Sequence, residues 1–220
     1  MIIKQLSIIT LYLYTIIAPV SELSSKIIMI NPAGHATAVG RKLSEGYERA
    51  ETLKFAEKLQ EELLNNYQVN AILTRSPGEQ TSPLQIASFA NRLSIDFFLS
   101  LHLYREKSAK PKMYLYQLVY NPLVDFAHRT INPLAFVPLL QAHFKNIHTS
   151  QAIALQMQKT LTHEKYQKQF DLAEPSGIPL KPLVGITAPA LALEIGINDD
   201  SQLISLVEPI VESLNFLSKQ

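Results

Sequence analysis

From Lys26 onwards, short apolar runs alternate with longer amphipathic stretches, and few architectures accommodate that alternation. Lys26–Ile30 (KIIMI), Val69–Thr74 (VNAILT), Asp96–Leu101 (DFFLSL), Met113–Tyr120 (MYLYQLVY) and Ala190–Ile197 (ALALEIGI) have the length and the branched or aromatic content of strands. Glu48–Leu64 sets Leu53, Phe55, Ala56, Leu59 and Leu63 on one face of a helix. Pro83–Leu93, Ser150–Leu161 and Gln202–Leu217 read as further helices. A strand that is apolar from end to end is buried on both faces. The alternation therefore predicts an α/β fold: a single domain with a mostly parallel twisted sheet covered by helices on both faces.

A chain of 220 residues suits one such domain behind a leader better than two domains with separate cores. With 47% of residues hydrophobic and 18% charged, a buried core is expected and wholesale disorder is not. The net charge of +1 argues against a nucleic-acid surface. No cysteine is present, so disulfide frameworks and thiolate chemistry are excluded, and any metal must be held by imidazole and carboxylate. Lys4, the apolar run Leu6–Val20, and the small or turn-forming Pro19, Ser21, Ser24 and Ser25 read as an export signal. The run falls short of the about 20 residues a membrane span needs. Residues 1–25 are thus expected to be a signal peptide or N-terminal anchor, and residues 26–220 the folded domain. The destination would be the periplasm or cell envelope, with membrane contact only through an uncleaved leader. The stretch 121–149 breaks the rhythm. It is apolar, rich in proline and long for a connection, as an insertion or lid would be, and its His128, His143 and His148 are expected to be solvent-facing or structural.

Ionisable residues recur where strands end. His35 follows the first strand in the turn Asn31-Pro32-Ala33-Gly34, His102 follows the apolar run that closes at Leu101, and Glu194 lies late in the last strand. In open α/β sheets, ligands bind beyond the carboxyl ends of the strands. Glu48, thirteen residues after His35 at the start of the first helix, returns to the same region. Each residue also has a plainer reading: a hydrogen-bonded histidine, or a glutamate favoured at a helix N-terminus. Glu194 resists that treatment, because a carboxylate between Leu193 and Ile195 on a central strand needs a cation or proton to offset its burial. Spacing alone leaves a metal site and a structural cluster both open, since no i, i+4 ligand pair occurs.

The segments IIMINPAGHA, GYERAETLKFAEKL, ILTRSPGE, ANRLSIDFFLSLH and PALALEIG occur in that order. Together they resemble the zinc-dependent N-acetylmuramoyl-L-alanine amidases, a family of cell-wall lytic enzymes. That family has a histidine turn after the first strand, a glutamate opening the first helix, a leucine-threonine-arginine strand end, a strand ending in serine, an apolar residue and histidine, and a late strand with glutamate before glycine.

The resemblance implies that His35, Glu48 and His102 ligate Zn²⁺ and that Glu194 is the catalytic carboxylate. It also implies peptidoglycan as substrate, cut between N-acetylmuramic acid and L-alanine. Some relatives occlude the metal with an inserted helix until a partner displaces it, so a protein activator and an autoinhibitory role for 121–149 are consistent with it. The chain departs from the family pattern at several points. Asn31 stands where aspartate is usual, with one extra residue before His35, and Ala36-Thr37 replace a glycine pair. Leu103-Tyr104 follow His102 where an asparagine is common. Asn31 is expected to orient His35 by a hydrogen bond. Glu51, one turn from Glu48, is a rival for its place, though Leu53 and Ala56 align with the family when Glu48 is chosen. Other readings are a metal amidase or peptidase acting on another peptide-like substrate, and a non-catalytic peptidoglycan-binding relative. No G-x-S-x-G elbow supports a serine hydrolase.

Overall fold

The computed structural model describes residues 26–119 and 139–218. Its order is β1 (Ile27–Pro32), α1 (Glu48–Tyr67), β2 (Asn70–Leu73), α2 (Pro83–Leu93), β3 (Phe97–Arg105), β4 (Lys112–Gln117), α3 (Ile147–Leu161), β5 (Asp171–Leu172), β6 (Ser176–Gly177), β7 (Ala190–Ile197) and α4 (Gln202–Ser213). The strands form one seven-stranded sheet in the order β2-β1-β3-β7-β4-β5, with β6 also on β4. Neighbours from β2 to β7 are parallel, and β4 runs antiparallel to β7. The expected single α/β domain with a mostly parallel sheet is what forms.

The helices cover both faces for a reason of handedness. The chain steps from β1 outwards to β2 through α1, then back across β1 to β3 through α2. Right-handed crossovers made in opposite directions place their helices on opposite faces. One face carries Ile28, Leu99, Leu101, Leu193 and Leu115 against Phe55 and Leu59 of α1, Met157 of α3 and Leu206 and Ile210 of α4, all buried. The other carries Met29, Phe98, Ala190 and Ala192 against Ala87 and Ala90 of α2 and the loop residues Leu183 and Ile186. Side chains alternate between faces along a strand. Asn31, Ser100, His102, Glu194, Tyr114 and Tyr116 therefore all share the α2 face, at the end of the sheet towards which the parallel strands run.

One expectation about the scaffold needs correction. His102 does not follow its strand but lies within it, because β3 continues to Arg105. The chain leaves the sheet for the 121–149 stretch at the end away from His102. Gln117, the last residue of β4, pairs with Leu191 near the start of β7, so the antiparallel strand delivers the chain to the opposite end of the sheet. Of that stretch, 121–138 and His128 lie outside the described residues, as do residues 1–25, expected to be a leader. Its later part is a 3-10 turn, Leu139–Asn146, running into α3. There the Nδ1 of His143 accepts the Gly185 N–H at 3.2 Å, and His148 is exposed.

The turn after β1 is clamped by a buried cation. Arg75, 4% exposed, donates through Nε to the Pro32 carbonyl at 3.1 Å and through Nη2 to the carbonyls of Ala33 at 3.0 Å and Arg49 at 2.8 Å. Thr52 of α1 adds a hydroxyl donor to the same Ala33 carbonyl at 2.9 Å. Arg75→Met would take the guanidinium donors from the carbonyls of Pro32, Ala33 and Arg49, leaving Ala33 the Thr52 hydroxyl, at about 1–3 kcal/mol for an unsatisfied group. Urea unfolding should show a loss of about 3 kcal/mol. A loss below about 1 kcal/mol would mean that water takes over the bonds of the guanidinium.

Candidate active site

The strand order reverses between β1 and β3, and the site lies at the carboxyl ends of these strands, where such sheets open a crevice. β1 pairs with β3 only as far as Pro32 opposite Leu101, so the edge of β3 beyond that point is uncovered. The Glu48 side chain fills the gap. Its Oε1 accepts the Leu103 N–H at 3.0 Å, and its Oε2 accepts the Arg41 N–H at 3.1 Å. Glu48 is only 4% exposed. Burial acts to raise its pKa, yet the contacts with His102, with the two main-chain N–H groups and with the Arg41 charge outweigh it and hold the carboxyl below its ordinary value. Glu48 is therefore an ionised carboxylate at neutral pH. Glu51 points elsewhere, accepting from Lys54 Nζ at 2.8 Å, so Glu48 is the residue beside His102.

His102 is held between two partners. Its Nδ1 lies 3.5 Å from Glu48 Oε1, and its Nε2 lies 3.0 Å from Ser100 Oγ. Behind Ser100 runs a buried relay: Asn31 Nδ2 donates to Ser100 Oγ at 3.1 Å, and Thr74 Oγ1 donates to Asn31 Oδ1 at 2.7 Å. Asn31 thus orients His102 through Ser100, and not His35 as expected. The physical reason is parity: Asn31 pairs in register with Ser100 and projects from the same face.

His35 sits in a turn closed by its own N–H to the Ala38 carbonyl at 2.9 Å, with its Nδ1 3.3 Å from Thr37 Oγ1. His35 and His102 line one small cleft of 150 Å³ together with Asn31, Pro32, Thr81 and Pro182. The structure thus joins Glu48 to His102 and puts His35 on the wall of the same cleft. Among the described residues, no three histidine, aspartate or glutamate side chains stand together as a group able to hold a metal ion.

Glu194 is the register partner of His102 on the neighbouring parallel strand. Its Oε1 accepts Arg41 Nη1 at 2.6 Å, and its Oε2 accepts the Tyr116 hydroxyl at 3.3 Å. Burial first, then the Glu194 carboxylate, push the Tyr116 phenol above its usual pKa, so it stays a proton-bearing donor. Arg41 is the cation that a carboxylate on a central strand demands. Nothing in the sequence marked which of 20 lysines and arginines would supply it, and Ser100 and Tyr116 were missed likewise. The signal available for Ser100 and Tyr116 was period-two placement, which sets them on the face of His102 and Glu194.

A family model described as N-acetylmuramoyl-L-alanine amidase matches residues 28–208. Among solved structures, the chain is similar to the catalytic domain of CwlV, an N-acetylmuramoyl-L-alanine amidase from Bacillus (Paenibacillus) polymyxa var. colistinus. The match has 18% identity, covers 86% of this chain and 96% of that one, and has a TM-score of 0.61. The amidase AmiC2 of Nostoc punctiforme matches at 15% identity over 88% of this chain and 98% of its own, with a TM-score of 0.63. The CwlD amidase from Clostridioides difficile, in complex with the GerS lipoprotein, matches at 14% identity over 88% and 98%, with a TM-score of 0.59. At such identities the likeness is one of fold. No curated protein matches the chain.

The seat of Glu48 depends on a glycine. Gly40 has φ +76°, and a Cβ there would fall 2.7 Å from Glu48 Oε2 and 2.8 Å from Glu48 Cβ. Gly78 has a similar φ of +81° with nothing within 4 Å. Gly78→Ala should therefore cost only the left-handed strain, about 1 kcal/mol. Gly40→Ala adds a steric clash of about 1–3 kcal/mol and should move the His102 ring resonances in NMR spectra. Equal losses in urea unfolding, with His102 undisturbed, would show that the packing of Gly40 on Glu48 is loose.

Proposed function

Because the chain belongs to the N-acetylmuramoyl-L-alanine amidase family, we propose that it hydrolyses the amide between the lactyl group of N-acetylmuramic acid and L-alanine in peptidoglycan. In this reading His35, Glu48 and His102 hold a Zn²⁺ ion and Glu194 is the catalytic base. The observation that carries it is the register pairing of His102 with Glu194, which sets a candidate ligand and a candidate base side by side on one face of the sheet.

The donor types fit zinc, with Glu48 and His102 side by side and His35 on the wall of the cleft that His102 lines. Two tetrahedral ligands bound at about 2.0–2.1 Å lie about 3.3 Å apart. The 3.5 Å between His102 Nδ1 and Glu48 Oε1 is close to that separation and long for a hydrogen bond. Nδ1 is then the donor of His102, with Nε2–H given to Ser100 Oγ, an arrangement that fixes the tautomer. Two neutral imidazoles and one carboxylate leave the ion a net positive charge. The bound ion supplies Lewis acidity at the lactyl carbonyl and acidifies water.

The remaining steps belong to the chain's own residues. Glu194 takes the proton of the attacking water, and the water oxygen bonds to the lactyl carbonyl carbon. Glu194 then passes the proton to the alanine nitrogen as the C–N bond breaks, so a carboxylate and a free amine result. The Tyr116 hydroxyl steadies Oε2 throughout. Peptidoglycan lies outside the cytoplasmic membrane, so the export reading of residues 1–25 and a place in the periplasm or cell envelope belong to the same proposal. The CwlD structure with GerS supports including a protein partner in it.

Purified protein is expected to carry about one zinc per chain. His35→Ala, Glu48→Ala and His102→Ala should lose metal and turnover together, while Glu51→Ala should lose neither. Glu194→Ala should keep its zinc and lose about 10²–10⁴-fold in rate. Metal analysis, paired with mass spectrometry of digested peptidoglycan for newly freed alanine amines, reads each outcome. Full zinc occupancy in His102→Ala, or wild-type turnover in Glu194→Ala, would overturn the assignment.

A further inference from the structure

Arg41 touches both site carboxylates, with its main-chain N–H on Glu48 Oε2 at 3.1 Å and its Nη1 on Glu194 Oε1 at 2.6 Å. Its side chain is nevertheless 49% exposed. The guanidinium is carried over the Tyr104 ring, 5.8 Å from the centroid. That ring in turn lies against Gly196, where a Cβ would come within 2.4 Å of it, so the close approach exists only because position 196 has no side chain. Tyr104, Tyr114 and Tyr116 continue as an aromatic wall, with centroids 6.5 Å and 6.0 Å apart in succession. The cation is thus mounted on a prepared platform at the mouth of the site.

A guanidinium has five N–H donors in a planar fork matched to a carboxylate, and the bond to Glu194 uses one of them. That bond also occupies Oε1 of the proposed base. We infer that Arg41 is a specificity-determining residue that recognises a free carboxylate on the stem peptide and moves from Glu194 to that carboxylate when substrate binds. The inference rests on the base role proposed for Glu194. The anion Arg41 already holds is a carboxylate, and a stem peptide offers another of the same kind. Substrate binding then uncovers Glu194 Oε1 for the attacking water. A carboxamide in place of the carboxylate cannot compete for the cation and leaves Oε1 covered.

Two muropeptides identical except for the α-carboxyl of the second stem residue, free in one and amidated in the other, are the probes for turnover. Wild-type protein should prefer the free acid by about 10- to 100-fold in kcat/KM, the range of a charged hydrogen bond gained or lost. Arg41→Gln, which leaves the main-chain bond to Glu48 in place, should bring the ratio close to one, with Arg41→Lys between. The γ-methylamides of L-alanyl-D-glutamate and L-alanyl-D-isoglutamine, in which only the α-carboxyl differs, free in one and amidated in the other, titrated calorimetrically into wild type and Arg41→Gln, should show the same loss of discrimination in affinity. Binding needs no turnover, so an inactive wild type that still discriminates in an Arg41-dependent way would count against the proposed reaction and not against Arg41. A wild type without preference, or a preference that survives Arg41→Gln, overturns the inference. Equal slowing of both muropeptides in Arg41→Gln does so too, since it leaves Arg41 only the task of positioning Glu194.

Discussion

A buried carboxylate must be met by donors, and the way Glu48 is met organises the whole site. Stripping an anion of water costs several kcal/mol unless hydrogen bonds and charge compensate. Here the compensation comes from separate parts of the chain: the main-chain N–H of Arg41 in the loop before α1 and the main-chain N–H of Leu103 on the open edge of β3 donate to it, and the imidazole of His102 lies 3.5 Å away. Each donor locks its own segment to the others. The first helix cannot shift along the sheet without abandoning Leu103, and the loop that carries Arg41 cannot lift without exposing Oε2.

The crossovers explain why these segments meet at all. Right-handed connections send the chain away from β1 in one direction and back across it in the other, leaving the crevice between β1 and β3 uncrossed. β3 then outruns β1 by several residues, so its edge offers the free N–H that Glu48 takes. The two faces divide the labour. Large aliphatic side chains fill the side of α1, α3 and α4, while small alanines bring α2 close on the other and leave the rows of His102 and Tyr104 open beyond it.

Much of this was legible in the sequence, because a strand buried on both faces can hardly be anything but a continuous apolar run. The limits of α2 were legible to the residue: Ser82 caps it in a reciprocal box with Gln85, and Pro83 opens it. His102 was placed just outside its strand because the apolar run ends at Leu101, yet an apolar run reports burial and not strand length. The half-exposed His102 and Tyr104 still lie in the ladder. The direction of β4 and the two-residue strands β5 and β6 left no mark, since pairing is decided by neighbours far away in sequence. His35, Glu48, His102 and Glu194 were recognisable as residues of interest. The relay from Thr74 through Asn31 and Ser100, and the cation of Arg41, depend on side chains brought together across 43 to 153 positions, which no local pattern encodes.

The margins of the sheet have a consequence of their own. One side ends in β2, four residues long, and the other in β5 and β6, two residues each and interrupted between. An exposed strand edge is a row of unpaired N–H and C=O groups that invites a second chain to add itself. With margins this brief, an arriving chain finds only a few bonds on either side, while the long strands β3 and β7 are sealed in the middle. Among the described residues, the most apolar segments are thus the ones least able to template aggregation once folded. The hazard is confined to the interval before the central strands have found each other.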